Sequence, residues 1–465
     1  MITPDFVKSI LRFLGFDRAV SFGILARLWS LFAGPVTMLV IASGFSPEQQ
    51  GFYYTFSSLL ALQVFFELGL MFVISQFASH EFVHLSWGAQ GIIEGEPVAR
   101  KRFTDLICKS VLWFGVASLL LVIILIPVGL VFFGQKGTVD FSWRLPWILA
   151  VIGTAANVFI IPFFAVIMGS GDVVLVNHRE MVGTIVSSCL CWLVIGMHGG
   201  LYAAFAVHLG NLIISWSYLI KLKPELLKLA WTGRFGKERS ARKEPGLSWW
   251  GEIWPMQWRI ALSAGSSYLI LQLFNPILFH YHGPVIAGQM GLTLTAANAL
   301  LGGCMILLST KSPEFGKLIA GHDWPNLDRL FLKATSQAFF LAIAGAITGV
   351  AVIWFLQKRY AIGQRFIPVE QAAILFGTIC MQTINTAFAI YLRAHKQEPL
   401  MVMTIIASIL QGAITWYCGK HYATLGVTAG YFSVTALFIF PYVFFVWRRC
   451  RKKWHSQSIN EYITG

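Results

Sequence analysis

The chain has 465 residues, 56% of them apolar and only 12% charged, with 42 glycines besides. Globular chains carry about 25% charged residues, so a soluble protein of this size is excluded, and disordered, coiled-coil and disulfide-scaffold classes go with it. The net charge of +14 would point to nucleic acid in a soluble chain. In a membrane chain it is first a matter of topology, because cytoplasmic loops collect Lys and Arg. The composition predicts an all-α polytopic membrane protein with no nucleic-acid partner.

Taken in chain order, residues 4–16 place Phe6, Val7, Ile10, Leu11 and Leu14 on one helix face and Asp5, Lys8, Ser9 and Arg12 on the other. That pattern predicts an amphipathic interfacial anchor, and no cleavable signal peptide is expected before the first apolar run. A bilayer crossing needs about 20 apolar helical residues. Runs of that kind predict twelve spans, near 19–44, 51–77, 106–133, 145–169, 181–197, 200–222, 253–280, 284–310, 333–356, 369–392, 399–417 and 425–447. Only short turns, His198-Gly199-Gly200 and Tyr281-His282-Gly283, divide the fifth span from the sixth and the seventh from the eighth. A run of about 40 apolar residues is too long for one crossing, so each must be a hairpin. A β-barrel is excluded, since its strands alternate in polarity. With the N-terminus in the cytoplasm, the great majority of Lys and Arg fall on cytoplasmic segments, which predicts both termini inside. Cysteines 108, 189, 191, 304, 380, 418 and 450 sit mostly in apolar runs and read as small core hydrophobes without a disulfide framework.

Residues 223–250 form the longest polar stretch, with Lys223, Lys228, Arg234, Lys237, Arg239, Arg242 and Lys243 ahead of Pro245-Gly246. They read as a basic cytoplasmic linker between a six-helix lobe over 1–222 and a second over 251–465 with a basic C-terminal tail. A solvated loop and an anionic-lipid contact are both open readings of this stretch. The halves look related. Aligning Gln49 with Gln289 also aligns Gly51 with Gly291, Thr55 with Thr295 and Leu60 with Leu300. Arg27 and Arg259 each lie early in the span that opens its half. An even number of spans per half makes this a parallel 6+6 repeat. The stripe of small residues in the second and eighth spans equally suits plain helix packing.

An ionisable group in hydrocarbon is a functional hypothesis by default. Arg27, Glu67 and Arg259 are the three that stand out, and Gln63 shares a helix face with Glu67. Two arginines near the inner mouth suit a phosphate-bearing substrate, because the guanidinium fork matches phosphate oxygens. Interfacial snorkelling is the alternative for Arg259. Glu67 reads as a counter-ion to one arginine or as a protonation switch. Gln257, Gln272, Asn275, Asn298, Gln382 and Asn385, with His208 and Asn211 in the sixth span, add uncharged polarity, either substrate contacts or interhelical hydrogen bonds. Pro35, Pro127, Pro162 and Pro276 mark bends or ordinary kinks. His80-Glu81-Phe82-Val83-His84 matches the H-E-x-x-H pattern of zinc proteases. His178, Glu180, Glu94 and Glu96 are the only candidates for a third ligand, and a protease needs no duplicated body of twelve spans.

These segments together resemble the oligosaccharide flippases, the O-antigen and polysaccharide exporters of the multidrug/oligosaccharidyl-lipid/polysaccharide exporter superfamily. The resemblance rests on Ser46-Pro47-Glu48-Gln49-Gln50-Gly51, Glu67-Leu68-Gly69-Leu70, Ser79-His80-Glu81, Gln257-Trp258-Arg259, Ala287-Gly288-Gln289-Met290-Gly291 and Lys311-Ser312-Pro313-Glu314. The major facilitator transporters, another 6+6 family, usually carry a Gly/Asp/Arg-rich motif after the second span, which residues 79–105 lack. The resemblance implies a V-shaped, two-lobed, alternating-access body in a bacterial inner membrane. It would be a monomer without cofactor, metal or enzymatic activity. It implies a polyprenyl-diphosphate-linked oligosaccharide as substrate, moved to the outer leaflet among membrane lipids, with a polysaccharide polymerase as a partner in surface glycan assembly. Arg27, Arg259, Glu67, Gln63, Gln257 and Asn298 are the expected substrate-binding residues. The alternatives carried forward are a cation-coupled antiporter of small molecules and the membrane metalloprotease.

Overall fold

Apolar runs of span length leave the backbone no partner but itself in lipid, so they fold as helices. The computed structural model describes residues 18–88, 92–135, 139–235, 247–395, 397 and 399–464. The expected amphipathic segment 4–16 and the middle of the basic linker lie outside the described residues.

The helices in order are α1 (Arg18–Gly44), α2 (Pro47–Leu60), α3 (Val64–Glu67), α4 (Leu70–Glu81), α5 (Pro97–Gly134), α6 (Arg144–Gly169), α7 (Val173–Gly196), α8 (Tyr202–Leu222) and α9 (Pro224–Phe235). The second half adds α10 (Trp254–Leu271), α11 (Phe274–His282), α12 (Pro284–Ala320), α13 (Trp324–Arg359), α14 (Val369–Ala394), α15 (Met401–Val434) and α16 (Phe440–Thr464). Among the described residues the one strand pair is an antiparallel ribbon, β1 (Leu85–Trp87) and β2 (Ile93–Gly95), with Ser86 opposite Glu94.

Ten helical segments of the described chain are long and apolar enough to cross a membrane. One of them, Met401–His455, runs over both the eleventh and the twelfth expected spans. Its backbone breaks at Ala423 (φ 50°, ψ −136°). A Cβ at Gly426 would sit 2.1 Å from the Cys418 carbonyl oxygen, and one at Gly430 2.7 Å from Ile414. The chain therefore doubles back there. The seventh expected span is divided into α10 and α11 at Gln272–Leu273 and is not among the ten. The two forced hairpins are formed, turning through His198 (φ 57°) and Gly200 (φ 54°) and through Gly283 (φ 92°). In the linker, 224–235 is helical rather than a loop. Lys223 is buried, 3.3 Å from Asp172 and 3.8 Å above the Trp87 ring.

The chain divides into two compact units. The first is Met1–Ala33 with Leu59–Gly265, and the second is Gly34–Ser58 with Ser266–Gly465. In the first, α5 and α6 meet where Gly129 admits the buried Trp147 indole; a Cβ there would lie 2.1 Å from Trp147 Cε2. The ribbon docks through Trp87, whose Nε1 donates to Ser170 Oγ at 2.9 Å. In the second, Phe315, Phe331, Tyr391 and Trp447 centre the core between α12, α13, α14 and α16. There α2 and α12, the two repeat-related helices, touch backbone to backbone: a Cβ at Gly51 would fall 1.9 Å from the Pro284 oxygen. The small-residue stripe serves close packing at this end. Gln50 Nε2 donates to the Gly288 and Arg365 carbonyls at 2.8 and 3.1 Å, and Arg365 Nη2 donates to the Phe45 carbonyl at 2.6 Å.

Candidate functional site

The second expected span is not one helix. After α2 the chain passes through a 3-10 turn, Ala61–Gln63, and then α3, which ends at Glu67 on two consecutive left-handed residues, Leu68 (φ 50°) and Gly69 (φ 66°). Leu68 N–H still bonds the Val64 carbonyl at 3.1 Å. A leucine in this conformation costs about 1–2 kcal/mol, and an interrupted backbone at membrane depth survives only where protein or a wet cavity surrounds it. Here α10 lies alongside. A Cβ at Gly69 would sit 2.3 Å from Ile260 Cγ2, and one at Gly265 2.8 Å from Phe65.

This packing brings four of the expected site residues onto neighbouring elements of the first unit. Gln63 and Glu67 are half-buried on the interrupted helix, and Gln257 and Arg259 belong to α10. Gln257 is fully buried, and both its amide nitrogen and oxygen lack hydrogen-bond partners. The backbone of Arg259 is helical, and its side chain lies outside the described residues. Glu67 makes no ion pair or hydrogen bond among the described residues. Arg27 is exposed on α1. Asn298 is exposed on α12 in the second unit and is not grouped with the others.

The structure adds a polar column between α6, α7 and α8, of which the sequence reading named His208 and His178 but not the grouping or Arg179. Deepest are Thr154 Oγ1 and His208 Nε2, 3.2 Å apart, with Asn157 Nδ2 donating to the His208 carbonyl at 2.9 Å. Toward the start of α7, Arg179 Nη1 donates to Ser215 Oγ at 3.2 Å, and its guanidinium carbon lies 4.3 Å from the Phe164 ring centroid. Beside it, Tyr218 Oη and His178 Nδ1 are 2.5 Å apart, and the His178 ring meets Phe22 edge-on at 4.7 Å. Asn177-His178-Arg179-Glu180 reads as a loop ahead of the fifth expected span, 181–197. The apolar Val173-Val174-Leu175-Val176 before it was the available signal that the helix starts earlier.

The H-E-x-x-H segment is committed elsewhere. Helix α4 ends at Glu81, and Phe82–His84 is a 3-10 turn. Glu81 accepts from Arg102 Nε at 2.7 Å, while Arg102 Nη2 donates to Glu252 at 2.6 Å. His84 lies 3.7 Å from Glu96. Among the described residues no three His, Cys, Asp or Glu side chains are grouped as metal ligands. Burial works against a charge on Glu252, but the Ser248 N–H and the Arg102 guanidinium outweigh it and hold the carboxyl below the usual carboxylate range.

No protein-family model and no curated protein matches the sequence. Solved structures do match. An inward-facing multidrug resistance MATE family transporter of the MOP superfamily gives a TM-score of 0.61 at 16% identity, covering 94% of this chain and 98% of that one. The lipid II flippase MurJ, in an inward closed conformation, gives 0.60 at 13% identity, covering 95% and 91%. A MOP superfamily transporter from Pyrococcus furiosus, described for the reverse polarity of its binding pocket, gives 0.56 at 16% identity, covering 94% and 96%. Likeness at such low identity speaks to architecture, and it joins the helical, span-rich chain described above: this is an all-α polytopic membrane protein with the fold of the MOP superfamily transporters.

Proposed function

We propose that the chain is a flippase that carries polyprenyl-diphosphate-linked oligosaccharide from the inner to the outer leaflet of a bacterial inner membrane, for surface polysaccharide assembly. It acts as a transporter rather than an enzyme, as a monomer with both termini cytoplasmic, and it hands its product to a polysaccharide polymerase. The observation that carries the reading is the sign of the charge in the spans of the first unit. Arg27 and Arg179 lie in helices of this unit that are long and apolar enough to cross a membrane, and Arg259 lies on α10, against Glu67 and the exposed Glu180. Cationic groups at membrane depth are costly and select an anionic cargo. Guanidinium in particular pairs with phosphate oxygens. That a structure of the lipid II flippase shares the fold along 95% of this chain supports the same reading. Gln63, Gln257 and Asn298 would add uncharged contacts to the cargo.

The test is genetic. Cells lacking the protein should lose surface glycan and accumulate the lipid-linked intermediate on the cytoplasmic side. Normal surface glycan without such accumulation would remove the reading.

A second reading, a cation-coupled antiporter of small organic molecules, has its own observation in Glu67. That acid, at the break of the interrupted helix, has no partner among the described residues, and a MATE family transporter shares the fold. Efflux of a cationic dye that is abolished by Glu67→Gln would favour it.

A further inference from the structure

The column between α6, α7 and α8 contains a charge whose hydrogen bonding is incomplete. Arg179 lies six residues into α7, which begins at Val173; at 1.5 Å per residue that is about 9 Å inside the helix mouth. Its contacts are few. Nη1 donates to the Ser215 hydroxyl at 3.2 Å, and the guanidinium face rests on Phe164 at 4.3 Å. Nε is buried and has no hydrogen-bond partner. No carboxylate lies within ion-pairing distance of Arg179 among the described residues, and the side chain of its neighbour Glu180 is exposed. Two other cations of this unit are ion-paired, Lys223 with Asp172 and Arg102 with Glu81 and Glu252.

A guanidinium has five N–H donors and no acceptor. Leaving such a donor buried and unbonded costs about 1–3 kcal/mol, more for a charged group, so a ligand, ion or water that completes it is favoured. The aromatic contact occupies the face of the guanidinium and leaves its in-plane edge for an acceptor. Tyr218 Oη, in the adjoining pair with His178, supplies a further hydroxyl on the same corner.

We propose that Arg179 is an anion-binding residue of the first unit, its guanidinium edge taking a phosphate oxygen of the cargo's diphosphate near the mouth of α7. The identity of the cargo rests on the flippase reading; the affinity for a phosphate oxyanion does not.

The experiment uses the full chain purified in uncharged detergent, with binding followed by calorimetry. Three probes separate the sources of the anion: farnesyl diphosphate, inorganic pyrophosphate and phosphatidylglycerol. Arg179→Gln should weaken farnesyl diphosphate binding about 10- to 100-fold, the range of one charge-assisted contact pair. An equal loss for pyrophosphate assigns the subsite to the phosphate alone, and a loss confined to farnesyl diphosphate assigns it to a lipid-linked diphosphate. A loss seen only with phosphatidylglycerol, or unchanged binding of all probes to Arg179→Gln, overturns the proposal. So does wild-type protein that binds none of them. Should Arg179→Gln fail to fold, Arg179→Lys decides. It keeps the charge and loses the fork, so a loss of about tenfold supports the site and unchanged affinity refutes it. Flipping by the wild type is scored in parallel. If Arg179→Gln flips and binds normally while the wild type flips, this proposal fails alone. If the wild type does not flip but Arg179→Gln loses pyrophosphate, the anion site stands and the flippase reading fails.

Discussion

Arg27 and Arg259 stand at comparable positions in the spans that open the two halves of the sequence. If both face the cargo, Arg27→Ala and Arg259→Ala should each slow flipping about tenfold or more, with Arg→Lys milder because charge is kept and only the planar fork is lost. Full activity in the double alanine variant, measured by restoration of surface glycan in cells lacking the protein, would show that they only anchor helices. Glu67 is predicted to be dispensable for the flipping of an anionic cargo, so Glu67→Gln should leave glycan export within about twofold. A different residue group reports on stability. Arg102 bridges Glu81 and Glu252, and Arg102→Ala should lower stability by about 2 kcal/mol by leaving Glu81 half-buried and unpaired. The Glu252 carboxyl is held below its usual value. Such a group contributes stability that is fully present above the unfolded value and is lost as pH falls through the folded value. The thermal midpoint in detergent should therefore drop on acidification below about pH 4, and Glu252→Gln should start lower and drop less. An identical acid response in the two proteins would exclude this triad as the cause.

Among the elements, the close approaches define what cannot change. Gly51 leaves no room for a side chain against the Pro284 oxygen, and Gly129 leaves none against the Trp147 indole. Gly129→Leu should cost about 3 kcal/mol or more through overpacking, read as a fall in the thermal midpoint, whereas the exposed neighbour position Val128→Leu should be nearly neutral. The helical runs and the hairpins at His198–Gly200 and Gly283 were legible in the sequence, because lipid thickness sets run length and a glycine-bearing turn is all that fits between two runs. Three things were not. The break at Leu68–Gly69 lies within an apolar stretch, and no local preference marks Leu68 for a left-handed backbone; Ile260 packs against the adjoining Gly69, where a Cβ would meet its Cγ2 at 2.3 Å. The start of α7 was placed beyond Arg179, since a run of polar residues reads as a loop when the helix that satisfies them is not in view. Gly34–Ser58 joins the second compact unit although it comes from the first half of the chain, and a boundary drawn along the sequence has no means of showing that exchange.

At the scale of the whole molecule, the fold of the MOP superfamily transporters fits carriers of quite different cargo, since a multidrug transporter and a lipid flippase share it at 16% and 13% identity with this chain. Fold alone does not imply cargo; the sign of the charge on the helices does more to choose between them. Under the proposed function, the arginines on α1, α7 and α10 of one unit are what favour an anionic cargo. The most direct measurement is transbilayer movement in liposomes that contain the purified protein and a fluorescent polyprenyl-diphosphate oligosaccharide, with a membrane-impermeant quencher outside. The account predicts that the protected inner-leaflet signal is lost rapidly, that a cationic dye neither replaces nor competes with the substrate, and that Arg27→Ala slows the loss. A protected signal that stays as constant as in protein-free liposomes, alongside proton-driven movement of the cationic dye, would contradict it.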